Sequence, residues 1–531
     1  MFGRKPASRT IAPAPVQRPA RAYSAERLPA FSSGEYHGRD GRDAVIEAAR
    51  TGRHSRYITR HDALIAIIVG GGQFIQMLDS TIMVNALPTI ARSMAQSPTS
   101  LYLAVTAYLV ASAVFLPLGT WLADRFGART VFCSAIAGFG AASIMCGWAN
   151  SLFELVLART LQGAAGAMML PVGRLILLKS VPRSRLVAAL AVQAIPALVG
   201  PAVGLLLGGL ITTYWSWRLV FFINVPVAIV GILLALRHVP NIREKEHSPF
   251  DWAAFILSAA GLAALIVALD NIGRSRLPAE MVALLLGGGI VLLWVLARHT
   301  LERQRPMIDL SLFRLPTFRL AMTAGLLTRV QNGAAPFLLV LLLQTSFGFS
   351  PLLVGMVLCA NSVGAFAIRS IAPPLLQRFG FRKLLLANTF LTSAVLFSYT
   401  WFKEDTPLYC IVIVLALGGL FRSLQFTVLN GLAYSEVPHA RFSQATSLVA
   451  ALQQLAQAFG VGVSAMAVHF SAAGNGRENA TAADYRVGLF LLGSITLSAT
   501  LVFLFVRPGI DPAKALRNPR DRPLSDGEEI L

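Results

Sequence analysis

Charge is scarce in this sequence. Asp, Glu, Lys and Arg make up 14% of the 531 residues, against about a quarter in soluble domains, and that excludes an ordinary water-soluble fold. Cysteine is scarcer still. The four present, Cys133, Cys146, Cys359 and Cys410, stand singly within or at the ends of apolar segments. Neither a disulfide framework nor a metal set is implied by that spacing. No G-x-x-x-x-G-K-[ST] phosphate loop occurs, and neither does H-E-x-x-H or G-x-S-x-G. An ATP-hydrolysing motor, a zinc hydrolase and a serine hydrolase therefore lack their signatures. The expectation is a protein that is not an enzyme, with no cofactor, no metal and no use of ATP. The N-terminus has no apolar stretch of signal-peptide type, so the first span is expected to direct insertion itself.

What is abundant is hydrophobic sequence, 55% of the chain. Apolar runs of roughly 20 residues, the length that a hydrocarbon core of about 30 Å demands, recur fourteen times. They lie near 63–88, 99–121, 130–149, 152–174, 186–211, 219–237, 252–270, 280–298, 319–343, 351–373, 384–402, 407–430, 443–469 and 486–506. The fold class expected is an all-α membrane protein with 14 transmembrane helices in contact with the lipid bilayer. An even number puts both tails on one side. The net charge of +20 invites a nucleic-acid reading, but its distribution decides otherwise. Of 46 Lys and Arg, 34 fall in the two tails and alternate loops, 7 in the opposite loops and 5 inside spans. Such alternation marks the basic side as cytoplasmic and leaves no basic face for nucleic acid.

The stretch at 119–130, GTWLADRFGART, places Asp124, Arg125 and Arg129 between two spans. Three charges in six residues cannot lie in hydrocarbon, so this is a tight hairpin at the membrane surface, with Gly127 supplying the turn. A weaker copy, RFGFRK at 378–383, begins 253 residues after Arg125 and also lies between two apolar runs; Gln377 stands where the counterpart of Asp124 would be. Setting spans seven and eight aside leaves six plus six, with the hairpin after the second helix of each set. The expected organisation is a basic, disordered cytoplasmic tail at 1–61, a six-helix bundle at 62–238, and two inserted helices with a cytoplasmic connector at 239–318. A second six-helix bundle at 319–506 and a cytoplasmic tail at 507–531 follow.

Ionisable residues inside a span are expensive, about 2.5–3.5 kcal/mol each on insertion scales, and so mark function. They are Asp79, Glu154, Arg159, Arg174, Arg329, Arg369 and Arg422. Glu154, Arg174 and Arg369 lie near span ends, where long side chains reach the interface. Gln73 and Gln76 precede Asp79 by two turns and one turn, on one helical face. A carboxyl there can exchange a proton with its surroundings, or be a helix-end Asp solvated from the far side. Arg159, Gln162, Gly163 and Gly166 share the i, i+3, i+4, i+7 face of span four. The guanidinium there can act on a carboxyl that approaches it, or serve as an interhelical hydrogen-bond anchor. In span five Pro196, Gly200, Gly204 and Gly208 recur every four residues beside Pro201, a ridge that admits close helix packing and bending. Arg329, Gln331 and Asn332 cluster mid-span, and Gln344, Asn361, Gln425, Asn430, Gln453, Gln454 and Gln457 add neutral polar groups that could line a cavity or join helices. Eight residues are expected in a cavity wall: Gln73, Gln76, Gln162, Arg329, Gln331, Asn332, Asn361 and Gln425.

These residues resemble the major facilitator superfamily, specifically its fourteen-helix drug:proton antiporter branch. The similarity rests on LDSTI with NALP at 78–88, the hairpin 119–129, Arg159-x-x-Gln162-Gly163, Gly200-Pro201 with Gly204, and Trp217-Arg218 with Asn224-Val225-Pro226. The resemblance implies a major facilitator fold in a bacterial cytoplasmic membrane. It implies alternating access between two bundles, and export of a small-molecule substrate in exchange for protons. It assigns proton coupling to Asp79 and Arg159, a cytoplasmic gate to Gly119, Asp124, Arg125, Gly127 and Arg129, and an antiporter-motif helix to Gly200, Pro201, Gly204 and Gly208. A dedicated exporter, a proton symporter and a non-transporting receptor or scaffold on the same fold remain alternatives. The sequence identifies no partner protein.

Overall fold

A backbone crossing hydrocarbon must satisfy its own hydrogen bonds, so each apolar run has one economical conformation, the helix. The computed structural model describes residues 58–97, 100–182, 185–243, 250–271, 277–303, 309–438, 441–477 and 480–506. A helix lies in each of the fourteen apolar runs. They are α1 (Arg60–Ser93), α2 (Tyr102–Phe126), α3 (Ala128–Trp148), α4 (Leu152–Ser180), α5 (Leu186–Tyr214), α6 (Asn224–His238) and α7 (Trp252–Asn271). Next come α8 (Ala279–Glu302), α9 (Pro316–Leu341), α10 (Pro351–Ala367), α11 (Ala372–Ser398), α12 (Leu408–Tyr434), α13 (Phe442–Gly474) and α14 (Ala482–Phe503). The tails expected at 1–61 and 507–531 fall, apart from 58–61, outside the described residues.

The expectation of fourteen crossings needs refinement. Among the described residues twelve helices are long and apolar enough to span a bilayer, and the apolar helices at Trp252–Ala268 and Pro351–Ala367 are shorter. The short α10 has a physical cause. Pro351 fixes its start, Ser350 caps it, and Ile368–Ser370 tightens into a 3₁₀ turn before α11 begins. The sixth predicted span is likewise divided, into one turn at Leu219–Phe222 and then α6. Pro226 has no N–H to give the Phe222 carbonyl, which breaks the ladder there.

The second copy of the hairpin breaks the helix at the predicted place. Within α11 the backbone leaves helical geometry at Gly380, φ +71°, so 378–383 joins two helical segments, 372–379 and 381–398. In the first copy Gly127, at φ +97°, is the single residue between α2 and α3. Each copy therefore turns on one glycine in a conformation that a Cβ disfavours.

Helices α1–α6 pack among themselves, α1 on α5 and α4 on both α2 and α3; α9–α14 do the same, α9 on α13 and α14 and α10 on α12. The two sets meet where α5 lies on α10 and α2 on α13. Helices α7 and α8 pair with each other, joined by His299 Nε2 and the Asp251 carboxylate at 3.0 Å. Their attachment is aromatic, with Phe255 edge-on to Phe115 of α2 at 5.2 Å and Phe250 against Trp121 at 5.1 Å.

The apolar core is unevenly divided. One cluster runs through α1–α6 and continues into the C-terminal halves of α9, α11 and α13 and the N-terminal halves of α10, α12 and α14. At the opposite end the last six helices keep a core of their own, built on Phe318, Met322, Phe381, Leu385 and Leu432. Hydrogen bonds seal the shared end. Asn85 Nδ2 donates to Leu205 O (2.8 Å) and Pro351 O (3.2 Å), and Gln344 Nε2 donates to Asn85 Oδ1 (2.7 Å). Leu352 N–H donates to Thr213 Oγ1, and Cys359 Sγ to Ala202 O. The molecule is thus closed at the end where α1 and α5 finish.

Candidate functional site

Asp79 and Arg159 are brought together from α1 and α4. Arg159 Nη1 donates to Asp79 Oδ2 at 2.5 Å, and the two side chains are 1% and 0% exposed respectively. Asp79 is therefore enclosed, which rules out the helix-end reading. Its second oxygen accepts from Gln162 Nε2 (3.0 Å) and from Asn224 Nδ2 (2.8 Å). Ser143 Oγ on α3 accepts from the same two amides, at 2.8 and 2.9 Å. The network draws on α1, α3, α4 and α6 at once. Gln162 Oε1 also accepts from Arg159 Nη1 at 2.6 Å, and the guanidinium lies 4.4 Å from the centre of the Tyr108 ring on α2. A cation over a desolvated ring gains about 2 kcal/mol.

Small residues make this convergence possible. A Cβ on Gly163 would meet Tyr108 Cα at 3.0 Å, and one on Gly166 would meet Gln76 Nε2 at 2.9 Å. Ser112 Oγ of α2 donates to Gly163 O at 3.1 Å. The ridge of α5 serves the same end against α1. A Cβ on Gly200 would lie 2.8 Å from Met77 Cβ, on Gly204 2.7 Å from Leu78 O, and on Gly208 3.0 Å from Ile82 O. Gly209 faces the other way, with Leu352 Cα of α10 at 2.8 Å from such a Cβ.

Between the two helix sets lies a cavity of about 450 Å³, within the usual range for small-molecule sites. Of the eight residues expected to line it, Gln73, Gln76, Gln331, Asn332 and Asn361 do, as does Pro201. Three need correction. Gln162 sits behind Arg159 in the ion-pair network, and Gln425 is buried between helices, accepting from Asn388 Nδ2 (2.6 Å) and donating to Thr389 Oγ1 (3.1 Å). Arg329 is buried, donates to Asn430 Oδ1 at 2.9 Å, and faces a water-sized niche beside the cavity. Helical periodicity gives the face a residue occupies but not the neighbour that covers it.

Sequence reasoning did not single out Tyr108, Ser143, Tyr399 or Phe426, and met Asn224 only within a motif. Tyr108, Tyr399 and Phe426 line the cavity beside Gln453, Gln454 and Gln457, and Arg159 and Arg422 are the charged groups in its wall. Among the described residues no group of three or more His, Cys, Asp or Glu converges as a metal site.

The hairpin is held to its own half. Arg129 Nη1 donates to Leu236 O (3.3 Å) and Val239 O (3.4 Å), the free carbonyls at the end of α6. Asn241 Nδ2 donates to Thr130 Oγ1 (3.1 Å), Ala128 N–H donates to Ile242 O (2.9 Å), and Asn241 closes over Gly127. Asp124 ends α2 half-buried, and Arg125 is exposed, its guanidinium 5.6 Å from the Trp121 ring. Gly119 packs on Met168 of α4, whose Cα would lie 3.0 Å from an added Cβ.

The chain matches known proteins along most of its length. A family model described as Major Facilitator Superfamily covers residues 69–297 and 321–529. The MdtD protein of Citrobacter koseri, provisionally named for multidrug resistance, is 37% identical over 400 residues, 75% of this chain and 84% of its own length. MdtD of Escherichia coli O6:H1 is 36% identical over 408 residues, with the same shares covered. Among solved structures, a POT family transporter aligns with TM-score 0.62 at 14% identity, covering 85% of this chain and 96% of its own. A D-xylose–proton symporter aligns at 0.60 and 14% identity, covering 85% and 98%. At that identity the likeness concerns the fold.

Proposed function

Because this chain belongs to the major facilitator superfamily, and is a multi-pass membrane transporter and not an enzyme, we propose that it exports small amphipathic compounds in exchange for protons. The multidrug-resistance names of its relatives support efflux. The observation that carries proton coupling is the buried Asp79–Arg159 pair, whose arginine stands in the cavity wall. In our reading all fourteen helices cross, as two six-helix bundles at 62–238 and 319–506 with 239–318 inserted. Both tails lie on the cytoplasmic side of a bacterial inner membrane, as the basic loops favour. The end sealed by Asn85 then faces outward.

Every hydrogen-bond partner of Asp79 named above is a donor, so its carboxylate accepts throughout. A proton on Asp79 deprives one donor of its acceptor and Arg159 of its counter-charge. That destabilises the packing of α1 on α4 and links protonation to rearrangement of the bundle around the cavity. Each proton moving inward supplies about 1.4 kcal/mol per pH unit and about 2.3 kcal/mol per 100 mV, enough for a tenfold to a few hundred-fold gradient. Flux in proteoliposomes under an imposed pH step tests this. Asp79→Asn and Arg159→Ala should each lower driven transport about 100-fold or more in inserted, monodisperse protein, as loss of an obligatory buried ionisable group predicts. Wild-type rates in both variants would remove the assignment.

A further inference from the structure

The cavity is electropositive. Arg159 is neutralised by Asp79, but among the described residues Arg422 on α12 is hydrogen-bonded only to Asn361 Oδ1, a neutral amide, at 2.5 Å. Arg329 on α9 likewise meets the amide of Asn430, and its Nε is buried without a hydrogen-bond partner. The two arginines face one niche, which shares Gln331, Asn332, Arg422 and Phe426 with the main cavity, and Asn332 Oδ1 there is also unsatisfied. Among the described residues no Asp or Glu lines either space. Arginine stays protonated in any protein environment. A lipophilic cation entering this cavity would face two uncompensated positive charges at low dielectric and find no acidic partner. A carboxylate would find the fork of Arg422, with the field of Arg329 behind it. The rest of the lining, with Tyr108, Leu109, Leu116 and Leu339, suits an apolar body.

We propose that Arg422, reinforced by Arg329, forms an anion subsite, and that the exported compounds are organic anions with a carboxylate-like head and an apolar or aromatic body. This rests on the transport reading above and narrows its substrate class. The charge on the head group, and not lipophilicity alone, then selects what enters.

Three probes with one ring system test it: naphthalene-2-carboxylate, naphthalene-2-methanol and naphthalene-2-methylammonium, with binding to purified full-length protein measured by equilibrium dialysis at pH 7. The carboxylate should bind at least tenfold more tightly than the alcohol, and the ammonium more weakly than both. Arg422→Gln should cut the carboxylate-to-alcohol affinity ratio tenfold or more and Arg329→Gln about threefold. Arg422→Lys, which keeps the charge and loses the fork, should fall between wild type and Arg422→Gln. Equal affinity for all three probes, tighter binding of the ammonium, or an undiminished ratio in monodisperse Arg422→Gln would overturn the subsite. The wild-type ranking decides the matter even if a variant does not fold. Failure of the coupling reading looks different: the carboxylate binds selectively, yet no probe moves under a pH step.

Discussion

The fourth helix of each six-helix set carries an arginine in the cavity wall, and the two sets treat it in opposite ways. On α4, Arg159 has a carboxylate from α1, two amides and a hydroxyl around the pair, and an aromatic ring beneath it. On α12, Arg422 has the amide of Asn361. The surface hairpins differ in the same sense. Gly127 is crowded by Asn241 and flanked by an arginine bound to the end of α6, whereas a Cβ on Gly380 would meet nothing within 4 Å. One set pairs its arginine with a buried carboxylate; the other leaves its arginine with a neutral partner beside the cavity. Duplication of topology has not meant duplication of chemistry.

The largest expected effect comes from unpairing the arginine of α4. Removing one member of a buried pair costs about 3–5 kcal/mol, because the other charge is stranded. Arg159→Gln should therefore lower the thermal midpoint sharply, and the double variant Asp79→Asn/Arg159→Gln should recover most of the loss. Arg422→Gln strands no charge and should leave the midpoint near wild type or raise it. If Arg422→Gln proves as damaging as Arg159→Gln, the contrast between the two sets is wrong.

The glycines come next. Gly127→Ala meets both a forbidden backbone region and the Asn241 side chain and should cost about 2–4 kcal/mol, while Gly380→Ala meets the backbone term alone, about 1–3 kcal/mol. Chemical denaturation of each variant measures the difference. Asn85→Ala removes bonds to α5, to α10 and to Gln344 in the turn after α9, and should favour opening of the sealed end by about 1–3 kcal/mol. Spin-label distances between the ends of α1 and α10 would then shift towards longer values. Smallest is Asn241→Ala, at about 1 kcal/mol for its bonds to Thr130, read as a lower midpoint with the hairpin otherwise intact.

Much of this was legible beforehand. Apolar run length located every helix, because hydrocarbon leaves the backbone so little choice. Asp79 and Arg159 stood out because a charge within such a run needs an explanation. Ser143 and Asn224 did not, since neutral polar residues are common in spans and these act only through Asp79, 64 and 145 positions away in sequence. Gln425 and Arg329 were misplaced for a related reason. Their helical faces were readable, but the helices covering those faces were not. The repeat of Arg-Phe-Gly pointed to a second hairpin, and the structure puts its turn at Gly380.

Cys359 lies on the seam between α5 and α10, half-buried, its thiol hydrogen-bonded to Ala202 O at 3.2 Å. Any motion that parts those helices strips that sulfur of its partner and bares it to solvent. With Cys133, Cys146 and Cys410 replaced by serine or alanine, the rate at which a maleimide reacts at this one atom becomes a clock for how often that seam parts.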